Sequence, residues 1–155
     1  MSQPDAIMVR IGEGIALSQR GERDAARKLL TALWDEIGPD GDPLHLCALA
    51  HHLADLQDDV HEELVWDLRA LEAANSVTEE RAQEAGVVGS VRGFYPSLHL
   101  NLGEVYRKLG DLDRAREHLE QGRAAAGFLA DDGYGSMIRG GLDRLADRLN
   151  APQGS

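Results

Sequence analysis

The stretch from Pro96 to Gly122 constrains the fold more than any other part of the chain. Leu98, Leu102, Val105 and Leu109 recur at helical spacing and make one apolar stripe. Gly103 lies on that stripe and leaves room for a neighbouring helix to come close. Pro96 suits the first turn of a helix, where its missing N–H costs nothing. Gly110 suits the left-handed conformation that ends a helix. Leu112, Ala115, Leu119 and Gly122 then give a second helix its facing stripe. The segment therefore reads as an antiparallel helical hairpin with an apolar face that it cannot bury alone.

In this hairpin a Leu-Gly pair and an aromatic (Leu102, Gly103, Tyr106) are followed by a turn glycine (Gly110) and by a small and a large apolar residue (Ala115, Leu119). The pattern resembles a tetratricopeptide repeat. His99 stands where that family usually has Trp, and Gly122 where it usually has Ala. The resemblance implies an all-α fold, a right-handed stack of antiparallel hairpins with about eight helices and a C-terminal capping helix. The organisation also looks like that of small stand-alone tetratricopeptide-repeat proteins of actinobacteria.

Weaker copies lie upstream. Over 5–38, Ile7, Ile11, Gly14, Ile15 and Leu17 stripe one helix, Arg20-Gly21-Glu22 turns, and Ala26, Leu30 and Leu33 stripe the next. Gly14 and Gly21 stand at the slots of Gly103 and Gly110. Over 43–74, Pro43 opens a helix carrying Leu46, Leu49, Ala50 and Leu53. Asp58-Asp59 turns, and Val60, Leu64, Leu68 and Leu71 are expected to be the buried stripe of its partner. Ser76 with Glu79 three residues on is a capping-box signature, predicting an inserted helix from Thr78 to near Val91. Tyr134, Met137, Ile138, Leu142, Leu145 and Leu149 predict a terminal helix over 133–150 that covers the last hairpin. The expected organisation is a single domain over 1–150 and a disordered tail over 151–155.

Composition agrees with helices: aromatics are 5% of 155 residues, and prolines number only 5. The single cysteine, Cys47, excludes an internal disulfide framework. No stretch of about 18 apolar residues is present, and no signal peptide is read, so a cytoplasmic protein without a membrane partner is expected. The net charge is −11, and Leu29 to Leu68 holds ten acids with no Lys or Arg. Such a block repels phosphate backbones and argues against nucleic acid. It is either a surface that steers a basic partner or a set of solvated turn acids.

Material for catalysis is thin. His45 and His52 share a helix face and His51 pairs with Asp55, but no HExxH or phosphate-loop spacing occurs. No enzyme, cofactor or metal is expected. The family resemblance instead implies a protein-interaction module, a scaffold or regulator, binding a peptide or helix on the concave face lined by each repeat's first helix. By position that face holds Met8, Ile11, Ile15 and Ser18, then Cys47, His51 and Asp55, then Ser97, Leu100, Glu104, Arg107 and Lys108. Trp66 turns almost opposite the expected stripe of its helix, so it is either packed under the 78–91 helix or a partner contact. Arg92, Phe94 and Tyr95 either staple the start of the next helix or line a ligand pocket. The alternative function is a small-molecule or peptide sensor whose pocket is closed by the inserted helix near 78–95. The expected partner is a protein or peptide, and the chain itself a monomer or homodimer.

Overall fold

Two glycines set the hairpin geometry. Gly21 (φ +83°) and Gly110 (φ +82°) are in the left-handed region, each at a helix–helix turn, where any side chain would be strained. The computed structural model describes residues 5–85 and 91–151. Among these residues the chain forms eight α-helices and two 3₁₀ turns, with no strand. It divides into two compact units, Met1–Ser76 and Val77–Ser155.

The first unit holds α1 (Ala6–Gln19), α2 (Arg23–Ile37), α3 (Pro43–Asp55) and α4 (Val60–Ala74). α1 pairs with α2 and α3 with α4, and α3 also packs on both α1 and α2, so two hairpins stack. The core is Ile11, Leu30, Leu33, Leu49 and Leu53, each no more than 1% exposed. Three helices begin on an aspartate that accepts a backbone N–H: Asp5 from Ile7 and Met8, Asp42 from Leu44 and Asp59 from His61. Each such cap is worth about 1 kcal/mol. Nε2 of His45, a buried residue of α3, lies 2.6 Å from Oδ2 of Asp5 and ties the start of α1 to the middle hairpin.

The acidic stretch thus does structural work. Asp42 and Asp59 cap helices, Glu36 receives two hydrogen bonds from Arg10 at 3.1 and 2.8 Å, and Asp58 faces Arg23 and Arg27. The cations that the stretch lacks come from α1 and α2.

α4 departs from the expected stripe. Its buried residues are Trp66, Asp67, Ala70 and Ala74, whereas Leu68 is 40% exposed and Val60, Leu64 and Leu71 are only half-buried. The small Ala70 and Ala74 let α3 lie close, and the larger leucines flank that contact. Ranking positions by hydrophobicity alone misses this, because close helix packing favours small side chains at its centre.

The second unit holds α5 (Glu79–Glu84), a 3₁₀ turn (Val91–Phe94), α6 (Tyr95–Lys108), α7 (Leu112–Ala125), a second 3₁₀ turn (Ala126–Phe128) and α8 (Gly133–Asn150). The inserted helix is shorter than expected, and its cap is Thr78, which accepts from the N–H of Arg81, rather than Ser76. The carboxylate of Glu79 instead accepts the backbone N–H of Val91. Residues 86–90 of the expected helix, and 152–155 of the expected tail, lie outside the described residues. α6 and α7 form the hairpin read from the sequence, with Leu102, Val105 and Ala115 fully buried. α8 packs across both. The Cα of Gly103 faces the methyls of Leu145, that of Gly122 faces Leu142, and that of Gly141 faces Leu100. The terminal helix therefore caps the hairpin as the repeat architecture requires.

Candidate functional site

The candidate surface begins on the first helix of each hairpin: α1, α3 and α6. On α1, Ile11 is 1% exposed and belongs to the core, so it offers nothing to a partner; α1 lies on both α2 and α3, and its central position is covered. Met8, Ile15 and Ser18 are half-buried on the flank of that helix. On α3, Cys47 is buried, and burial pushes its thiol up to about 11, so it is inert as a nucleophile at neutral pH. His51 is half-buried with its ring edge-on to His52 at 5.2 Å, and Asp55 is exposed at the end of the helix.

On α6 the expected residues divide. Leu100 packs on Gly141 of α8. Glu104 accepts two hydrogen bonds from Arg107 and a further one from Arg148 of α8. Leu100 and Glu104 thus engage the capping helix, and Arg107 pairs with Glu104 on its own helix. Ser97 donates its hydroxyl to the carbonyl of Phe94 at 3.1 Å. Lys108 is exposed at the helix end.

The two sets of aromatic candidates are packed. Trp66, 8% exposed, meets Trp34 of α2 edge to face at 4.9 Å, within its own unit. Arg69 sits over both rings, 4.6 Å from the centroid of Trp66 and 5.7 Å from that of Trp34. Arg92 lies over the ring of Phe128 at 5.2 Å. Phe94 and Tyr95 are half-buried at the entrance to α6, and Tyr95 stacks on His99 one turn later. This is the staple arrangement; a pocket closed near 78–95 involves residues outside those described.

A column of four rings, missed in the sequence, runs up the hairpin. Tyr95 lies 6.0 Å from His99, His99 lies 5.2 Å from His118, and His118 lies 5.4 Å from Tyr106, all stacked. Nδ1 of His99 and Nδ1 of His118 are 3.0 Å apart, so one ring donates and the other must present a bare nitrogen. Burial, reinforced by His118, lowers His99 to about 4, and burial also lowers His118. His99 at the slot usually filled by Trp was the signal; its partner, nineteen positions away, had none. No group of three or more His, Cys, Asp or Glu is placed to hold a metal among the described residues.

The α6–α7 hairpin, with its glycine turn, close approach at Gly103 and capping helix, coincides with a match to the tetratricopeptide-repeat family model over residues 96–121. The chain carries a tetratricopeptide repeat. Among solved structures, its fold is similar to that of PcrH from Pseudomonas aeruginosa, at 18% identity and a TM-score of 0.56, over 97% of this chain and 96% of that one. None of the curated proteins matches. No helix among the described residues is long and apolar enough to cross a membrane.

Proposed function

We propose that this protein is an interaction module that binds another polypeptide along the first helices of its hairpins. In the first unit the contact surface is the flank of α1 carrying Met8 and Ile15 with the end of α3 carrying His51 and Asp55. In the second it is the end of α6, with Ser97 contributing at the start and Lys108 at the finish, while Arg107 holds Glu104 in place. The observation that supports the reading best is the tetratricopeptide repeat at 96–121 together with its capping helix, because a repeat has no chemistry of its own and serves by presenting side chains. An extended peptide or an amphipathic helix suits the surface of the first unit, apolar at Met8 and Ile15 and charged at Asp55.

The test uses affinity capture of the native partner with wild-type protein and with Ile15→Asp and Lys108→Glu. Each substitution is expected to weaken capture by about 1–2 kcal/mol while leaving the circular dichroism unchanged. Undiminished capture by both variants rejects this surface.

A further inference from the structure

The first unit contains a cavity of about 310 Å³ that the repeat pattern does not explain. One wall is the connection between α2 and α3, where Pro39 and Pro43 face the space. That connection is stiff: the N–H of Gly41 donates to the carbonyl of Gly38 at 3.1 Å, and Asp42 caps the next helix. The other wall is the C-terminal half of α4, with Arg69, Glu72, Ala73 and Ser76. Trp34 and Leu46 complete the apolar lining.

Two opposite charges enter this space without pairing. The guanidinium of Arg69 rests on Trp66 and Trp34 and makes no hydrogen bond or ion pair with any described residue. Every other arginine of the unit has an acid: Arg10 has Glu36, Arg20 has Glu22, and Arg23 and Arg27 share Asp58. In a unit with fifteen acids and six basic residues, an unpaired arginine is conspicuous. A guanidinium seated by its face on indole keeps its edge N–H groups free, and their planar fork suits a carboxylate. Glu72 lies three positions on, on the same side of α4, and likewise has no described partner. Side chains at that spacing start about 5–6 Å apart, enough to admit a carboxylate and an ammonium borne on one carbon.

We propose that this cavity binds a small apolar α-amino acid as its zwitterion. Its carboxylate is held by Arg69, its ammonium by Glu72, and its side chain lies against Trp34, Pro39, Pro43 and Leu46. The volume is at the small end of ligand sites and leaves room for an amino acid. Both unlike charges are then neutralised by one ligand. The site is independent of the polypeptide-binding surface, so either reading can fail without the other.

The chain's two tryptophans, Trp34 and Trp66, both belong to this corner, so intrinsic fluorescence reports on it directly. The titration uses leucine, valine, methionine and proline up to about 20 mM, a range that detects even millimolar affinity. At least one is expected to give a saturable change. Blocking either charge of the best ligand, as its N-acetyl derivative or its amide, is expected to weaken binding at least about tenfold. Glu72→Gln should weaken the free amino acid and leave the N-acetyl form unaffected, and Arg69→Met, with its fold checked by circular dichroism, should abolish binding. The proposal is overturned if no amino acid saturates, if the blocked ligands bind as well as the parent, or if both variants bind as wild type does. A tetrapeptide ending in the same residue distinguishes the other source of this chemistry. If it binds more tightly than the free amino acid, the site takes a chain end and the zwitterion proposal fails.

Discussion

His99 shows how one residue changes the local chemistry of a familiar hairpin. In the slot usually filled by a tryptophan it extends a stack from Tyr95 through His118 to Tyr106, and it exchanges a hydrogen bond with His118. The stack holds two rings that resist protonation. His99 is lowered to about 4 by burial and His118, and His52 in α3 is lowered to about 4 by burial and His51. A base whose folded pKa is depressed takes up protons more readily unfolded, so its stabilisation is present above pH 6.5 and lost as pH falls from about 6.5 to about 4. The melting temperature is expected to fall through that window, reflecting a loss of roughly 2 kcal/mol after allowing for partial solvent screening. His99→Phe should reduce the dependence and leave the part that His52 contributes. An equally steep fall in that variant would place the titrating group elsewhere. Trp66 carries a second residue-scale prediction. Trp66→Ala is expected to cost about 3–5 kcal/mol because the ring is buried against Trp34, whereas Leu68→Ala, at an exposed position, should stay within about 0.5 kcal/mol. Urea denaturation of both variants checks this, and the reverse ranking would restore the leucine stripe.

The helices show which information a sequence carries and which it does not. The turns at Gly21, at Asp58-Asp59 and at Gly110, and the helix start at Pro43, are where Gly, Asp and Pro place them, because those residues act locally. The buried face of α4 was not legible: Ala70 and Ala74 are weak hydrophobic signals, and only the approach of α3 makes them central. The site suffered similarly. Ile11 and Leu100 look like surface positions in a single repeat and become packed only once the next helix is laid on top, Leu100 by α8. Arg69 and Trp34, thirty-five positions apart, meet through tertiary packing that no spacing encodes. The capping role of α8 yields its own test. Truncation to Ala of Leu145, fully buried against Gly103, should cost about 2–5 kcal/mol, the same as is expected for Leu102 in α6. Equilibrium unfolding that is sensitive to Leu102→Ala alone would mean that α8 does not complete the hairpin's core.

At the scale of the molecule, charge separates the two units more sharply than fold does. The first carries fifteen acids and six Lys or Arg, the second twelve and ten, so nearly all of the net charge of −11 belongs to Met1–Ser76. Polypeptide binding on the first helices should therefore weaken with salt for a basic partner, since exposed charges act over about 10 Å at 0.1 M salt. The central claim is that α1 and the end of α6 touch that partner. It is tested most directly by placing a photo-crosslinking residue singly at Ile15, at Lys108, and at the exposed Val65 and Leu68 on the outer side of α4, then mapping the adducts by mass spectrometry. Adducts to the same polypeptide from Ile15 and Lys108, with none from Val65 or Leu68, are the predicted result. Adducts confined to Val65 and Leu68 would contradict the account and move the interface to the outer face of α4.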